Sequence, residues 1–426
     1  MLLDAFEKFL EHMDTYLKLI GLSLEPEDRD RTIFERHKYH WKYTAHQFSF
    51  NINITLQIIW FIQGIVMGKS LLQITFILPC LTMCLLGDFK IISFVYNLHH
   101  IHDVIDTLRN ILSVRRPDEE VHLGDTFKVW LMYLSAVYKT ILLLIICGAG
   151  LFGIGPLIIM ATYYYTTGEV RLFLPFLIWY PFDQFVLPNW FFVYFHQMIS
   201  AWMAIFSVYG ADCFFFTCCT FIHIEFLFLH RDMQDLVEED SGKHEIQYRK
   251  AKFTKKIVEL IKRHQELIRC IEFVDSIYSK STLFNVVTSS MVICAAGFNL
   301  MMMQNYALMA PFTAFLGFGM IQIFFYCYYG DLVMRSSMEV GDAIYNCRWY
   351  EMGAAERKYL FIVLIRSQKP CKFTAYRFTD INLGAFTRVR VVIITPENKK
   401  KEFGFVIPKP LYIHHKPQSN IPHARF

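Results

Sequence analysis

Apolar residues gather into six long stretches, each of bilayer-spanning length or close to it, separated by polar connections of alternating character. The first covers roughly Phe48–Met67 and carries Asn51, Asn53, Gln57 and Gln63, polar groups that suit contact with neighbouring helices rather than lipid. A tight turn at Gly68–Lys69 leads to the second, near Ser70–Leu86, whose helical pattern continues past Asp88 and Lys90 toward Leu98. The third occupies about Thr140–Met160, with Gly148, Gly150, Gly153, Gly155 and Pro156 loosening one half. The fourth starts at Trp190, stays apolar in character through Ile224 and keeps a helical pattern to about Val237. At 1.5 Å per residue that is roughly 70 Å, over twice a ~30 Å hydrocarbon core, so its end must project into water. The fifth repeats this in reverse from Tyr248 to Met302, and the sixth follows a turn near Gln304–Pro311.

Shorter patterns flank these stretches. Leu2, Phe6, Leu10, Met13, Leu17 and Ile20 recur at spacings of three and four, which predicts an amphipathic helix over residues 1–22. Two settings are open to it, along the inner leaflet or against the protein's own cytoplasmic part. In the soluble half of the fifth stretch, Phe253, Ile257, Leu260, Ile261, His264, Leu267, Ile268, Ile271 and Val274 form one apolar stripe. Such a stripe needs a partner, either within a cytoplasmic helical bundle or on another subunit. Tyr359–Ile365 is too short to cross a bilayer and reads as a buried or interfacial helix. The connection at about Ala161–Asn189 is rich in aromatics, which suit an interfacial belt or a lid over a pocket.

Charge orients the ladder. Of 42 Lys and Arg residues, 39 fall in the N-terminal segment, the alternate connections or the C-terminal region. The opposite connections hold Lys69 and Arg171, and Lys139 snorkels from an inner boundary. Cytoplasmic loops collect Lys and Arg, so the N-terminus and every basic connection are expected inside. A hydrophobic content of 54% and 17% aromatics agree with a membrane protein, and the net charge of +4 is too segregated to argue for nucleic acid as a partner. Residues 1–46 have no apolar core of signal-peptide type. None of the eleven cysteines falls in an expected outer connection, so no structural disulfide is expected. No CxxC, Walker loop, HExxH or GxSxG appears, and with them go the usual signs of an enzyme, metal centre or cofactor. His99, His100 and His102 lie beside Asp103 without distant matching ligands, and a solvated helix face explains them better than a metal.

The C-terminal third carries a recognisable text. Leu364-Ile365-Arg366-Ser367-Gln368-Lys369-Pro370, then Phe373-Thr374-Ala375, Phe378 and Ala385-Phe386-Thr387-Arg388-Val389, resembles the signature of insect odorant receptors. Asp342-Ala343-Ile344-Tyr345-Asn346, Trp349-Tyr350 and Arg357-Lys358 fit the same family, and Tyr180-Pro181-Phe182-Asp183 looks like its moth members. The resemblance covers about residues 1–389. It implies a ligand-gated, non-selective cation channel in the plasma membrane of sensory neurons. An odour-specific subunit would assemble there with a shared co-receptor into a tetramer, with cytoplasmic helices as anchor, a seventh span lining the pore, and odorants in an apolar pocket in the outer half of the bundle.

The text departs from that pattern after Val389. Val391-Val392-Ile393-Ile394 runs at once into Thr395-Pro396-Glu397-Asn398 and three lysines, and Phe403–Ile407 offers five residues before Pro408. Neither approaches the ~20 apolar residues of a span. The expectation is therefore an all-α, polytopic six-span protein with extended cytoplasmic helices and a cytoplasmic N-terminus. Residues 1–46 would be a cytoplasmic segment, 47–330 the bundle with extensions at about 225–281, 331–389 a helical anchor region, and 390–426 a divergent basic tail. The function the resemblance implies is that of an odorant receptor subunit, or, given the tail, of a non-conducting subunit or decoy lacking the pore helix. A gustatory receptor differs in its C-terminal pattern. A transporter would show internal repeats or broken helices with charged midplane residues, and a G-protein-coupled receptor would place its N-terminus outside.

A volatile ligand needs apolar walls and a few orienting polar groups. The outer halves of the spans offer Phe76 and Pro79, Phe152 and Met160, Trp190, Phe191, Tyr194, Phe195 and Met198, and Phe312 and Phe315, with Tyr194 as the best polar orienter. Arg366, Ser367, Gln368, Lys369, Pro370 and Phe386 are the signature positions expected in the anchor.

Overall fold

The computed structural model describes residues 1–24, 35, 40–114, 124–236, 246–303 and 306–394. The elements are helices α1 (Leu2–Leu19), α2 (Trp41–Val66), α3 (Leu71–Tyr96), α4 (Leu98–Ser113), α5 (Gly124–Thr167), α6 (Leu187–Gln234), α7 (Ile246–Met302), α8 (Tyr306–Asn346), α9 (Ala354–Ser367) and α10 (Leu383–Ile394). One short antiparallel hairpin, β1 (Thr374–Ala375) and β2 (Thr379–Asp380), pairs Thr374 with Asp380. Among the described residues six helices, α2, α3 and α5 to α8, are long and apolar enough to cross a membrane. The protein is an all-α, multi-pass membrane protein.

Helix α6 is the axle. Its 48 residues are buried almost without interruption from Met203 to Leu229, because α1, α2, α3, α5, α7 and α8 all pack around it. Helix α3 lies close against it where Gly87 faces Ala204; a Cβ on Gly87 would lie 2.9 Å from the Ala204 carbonyl oxygen. The end bearing the 168–186 connection is called here the loop end, and the opposite end, holding α1, α4, α9, α10 and the hairpin, the foot.

The amphipathic N-terminal helix packs on the protein itself. Leu2, Phe6, Leu10, Met13 and Leu17 are buried, Phe6 meets Phe221 edge-on at 5.0 Å, and Tyr16 meets Tyr209 at 4.9 Å. Arg109 of α4 clamps Glu7 with two hydrogen bonds of 2.6 and 2.9 Å. Gly21 ends α1 at φ +85°, where a side chain is strained and a Cβ would sit 2.5 Å from the Tyr43 nitrogen. The α7 stripe likewise finds its partner inside the chain: Ile257, Leu260, Leu267, Ile271 and Val274 are buried, with α4 and α6 packed on α7. At the foot, Asp275 of α7 accepts the Thr374 amide at 2.7 Å and so ties down the hairpin. Burial raises the pKa of the Cys371 thiol above its usual value, with Arg366 opposing.

The signature positions form the α9–hairpin corner. Arg366 donates to the Lys369 carbonyl at 2.9 Å, buried Ser367 lies against Gly341, Gln368 caps α9, and Pro370 leads into Cys371, whose amide donates to Ser337 at 3.0 Å. Phe386 of α10 packs edge-on to Phe324 of α8 at 5.5 Å. The Tyr359–Ile365 run lies within α9, burying Leu360 and Val363 while Phe361, Ile362 and Ile365 stay exposed. Helix α10 carries residues 390–394 of the tail, and with them the first short apolar run, Val391–Ile394; 395–426, with the second run and the three lysines, and the acidic Glu238–Asp240 lie outside the described residues.

Candidate functional site

A cavity of about 780 Å³ opens inside the loop-end half of the bundle. Four helices wall it, with Cys80, Met83 and Cys84 from α3, residues 144–152 from α5, 198–208 from α6 and 309–318 from α8. Small residues make the room: no atom lies within 4 Å of a Cβ built on Gly148 or Gly317, and Ala149, Ala201, Ala310 and Ala314 continue the low wall. Larger groups, Phe152, Phe176, Trp202, Ile205 and Phe318, bound the space. The volume falls within the ~300–1,000 Å³ of small-molecule sites, and the lining is almost wholly carbon and sulfur. Cys147, Ala310 and Thr313 are at once lining and exposed, so the cavity reaches the bundle surface between α5 and α8.

The loop end is covered. Gln197 holds the backbone of Phe176 through both its amide atoms, at 3.0 and 3.2 Å. The Trp190 indole donates to the Phe173 carbonyl at 2.9 Å, and Tyr180 pairs with His196 at 3.1 Å. So fastened, Phe176 stacks on Phe152 at 5.3 Å, and Phe152 leans on Phe315 at 5.1 Å. This part of the connection is a lid, while Tyr164, Tyr165, Phe182 and Phe185 remain exposed as a belt would be.

Of the residues expected to touch a ligand, the structure brings Phe152, Met198 and Phe315 together around the cavity. Phe76 and Phe312 pack on each other at 5.0 Å, Pro79 is buried beside Cys80, and Trp190 serves the lid. The hydroxyl of Tyr194 is engaged by the Gly153 carbonyl, which occupies the group expected to orient a ligand. Phe191 and Phe195 face outward, 62% and 67% exposed, and Met160 lies beyond the cavity. The centre lies deeper than the outermost aromatics. The i, i+4 pairs Cys80/Cys84 and Met198/Trp202 mark its faces, a signal visible in the sequence but indistinguishable there from ordinary helix packing.

Directly beneath lies a polar cluster. Asp212 interrupts the apolar run of α6, so that span is not free of charge. It is 3% exposed and pairs with Lys90 of α3, itself 1% exposed. Gln322 and Tyr326 of α8 both donate to the Asp212 carboxylate at 2.7 Å. Lys90 also lies 4.9 Å from the Tyr326 ring centre. Lys90, grouped by position with the basic inner connection, is thus an intrabundle ion-pair partner. Among the described residues no group of three His, Cys, Asp or Glu side chains is arranged to hold a metal.

Known proteins share this architecture and text. Residues 70–391 match the family model described as 7tm Odorant receptor. Odorant receptor 67c of Drosophila melanogaster is 25% identical over 356 residues, 80% of this chain and 82% of the relative. The Odorant receptor coreceptor of Drosophila melanogaster is 24% identical over 136 residues, 32% of this chain and 28% of that protein. The olfactory receptor OR5 from Machilis hrabei, solved in complex with eugenol, has the same fold, with a TM-score of 0.75 and 18% identity across 92% of this chain and 97% of that one.

Proposed function

This chain belongs to the 7tm odorant receptor family, a family of receptors rather than enzymes, and on that premise we propose that it is an odour-specific subunit that takes a volatile apolar ligand into the cavity between α3, α5, α6 and α8. The cavity itself carries the reading: about 780 Å³ of apolar space, made by Gly148 and Gly317 and capped by an ordered aromatic lid. A carbon-rich ligand gains there by leaving water, at roughly 25 cal/mol per Å² of apolar surface. Walls supplied by four different helices let occupancy bear on how those helices pack. With a coreceptor subunit as partner, the subunit gates a cation conductance in the sensory-neuron plasma membrane, N-terminus inside.

The test is co-expression with an odorant coreceptor and recording of odour-evoked current. A response that Gly317→Leu shifts to at least tenfold higher ligand concentration, with surface expression retained, is the expected result; a response indifferent to filling the cavity would overturn it. A second reading, a subunit that binds ligand but does not line a pore, is favoured by the sequence after Val391, where Thr395-Pro396 and Lys399-Lys400-Lys401 follow the short apolar run. It predicts ligand binding by the purified chain with no current under any coreceptor ratio.

A further inference from the structure

Reading the cavity as the ligand site leaves open what polar chemistry it recognises, because its lining is nearly all carbon and sulfur. One helical turn beneath it lies a buried polar atom without a partner among the described residues, set against the polar cluster. Phe318 lines the cavity on α8, and Gln322 follows four residues later on the same face; Val208 and Asp212 repeat this relation on α6. Gln322 is 5% exposed, and its Nε2 donates to Asp212 Oδ2 at 2.7 Å. A carboxylate offers only lone pairs, so the amide must present its NH₂ to Asp212 and turn its oxygen away. Lys90 and Tyr326 hold the other carboxylate oxygen, so Asp212 is anchored from α3 and α8 and the amide is kept in this setting. The Gln322 Oε1 that results is buried and meets no protein donor among the described residues. A buried acceptor in apolar surroundings is costly until a donor arrives.

We propose that Gln322 is the specificity-determining polar group of the cavity, accepting a hydrogen bond from the hydroxyl of an otherwise apolar ligand. The proposal rests on the cavity being the ligand site. The ligand class is an amphiphilic volatile with one terminal donor, such as an alkanol or a phenol. Its apolar body fills the space beside Gly148 and Gly317, and its hydroxyl passes between Phe318 and Val208 to the floor, about 5 Å further in. An ether or ester of the same length brings no donor and leaves Oε1 unmet.

The probes are a straight-chain primary alcohol and the methyl ether of equal chain length, applied to the full chain in detergent micelles. The readout is protection of Cys147, which lines the cavity and is exposed, from a lipophilic maleimide, with the modified cysteine identified by mass spectrometry in a Cys294→Ser background. The alcohol is expected to protect at a concentration about tenfold lower than the ether, the factor that ~1.4 kcal/mol supplies. Gln322→Met is expected to erase the difference by weakening the alcohol alone. Equal protection by alcohol and ether on the native chain overturns the proposal and leaves the cavity reading standing, and this comparison decides even if Gln322→Met fails to fold. A variant that weakens both probes equally also overturns it, since Gln322 would then be structural. Protection by neither probe overturns both readings.

Discussion

Replacing Asp212 by Leu removes the centre of the polar cluster and leaves its three partners in place. Lys90, 1% exposed, becomes a buried cation without a counter-ion, a loss that costs about 3–5 kcal/mol. Gln322 and Tyr326 each lose the acceptor they reach at 2.7 Å, at about 1 kcal/mol apiece. The sum, about 5–7 kcal/mol, rivals the ~5–15 kcal/mol that holds a typical folded protein together. The double variant Lys90→Met/Asp212→Leu removes both charges and keeps only the two unmet donors, so it is expected to lose about 2 kcal/mol. The double variant should therefore be more stable than Asp212→Leu by about 3–5 kcal/mol, an inversion that simple accumulation of damage cannot produce. Thermal challenge of detergent-solubilised protein followed by fluorescence-detected size exclusion measures it. If the single variant survives heating as well as the double one, Lys90 is not held in the bundle by Asp212 and the reasoning fails.

Gly148→Leu and Gly317→Leu are expected to leave thermal stability within about 0.5 kcal/mol of native, because open space receives the new side chains, while raising the ligand concentration needed for a response at least tenfold; unchanged dose–response curves would refute the cavity assignment. Gln197→Leu cuts both bonds to Phe176, worth about 2 kcal/mol together, and hydrogen exchange across residues 170–180 should accelerate with little change at the foot. Burial holds the His12 imidazole below its ordinary pKa, so the neutral form is favoured where α1 is docked. Docking is then fully supported above the unfolded value of about 6.5 and weakens as pH falls below it. Protease accessibility of residues 2–19 should rise between pH 7.5 and pH 5 in the native chain, and His12→Phe should flatten that dependence.

Hydropathy and charge, properties additive along the chain, are enough to define the spans, the protruding ends of α6 and α7 and the N-terminal amphipathic helix, while the odorant-receptor signature is a resemblance carried by particular residues such as Arg366–Pro370. Bilayer length and the 3.6-residue period act on local sequence alone, so no knowledge of neighbours is needed to read them. The lid lay within reach of the same reasoning, since the aromatics of that connection suited it, but tertiary contacts, the Gln197 bonds and the stack on Phe152, separate Phe176, which closes the cavity, from Phe182 and Phe185, which are exposed.

The site itself depended on tertiary structure. Phe152, Met198 and Phe315 look no different in the sequence from Phe191 and Phe195, because a helix rich in Phe around its whole circumference carries no mark of which face turns inward. Gly148 reads as loosened helix until the facing walls show that it and Gly317 leave a void. Lys90 and Asp212 are 122 residues apart and sit in segments of opposite expected character, one basic and cytoplasmic, the other apolar. Their pairing exists only where α3, α6 and α8 converge, and there the Asp212 carboxylate also takes the amide of Gln322. Segment identity is a sum over local residues and is written in the chain; cavities and ion pairs are differences between surfaces distant in sequence, and packing alone decides them.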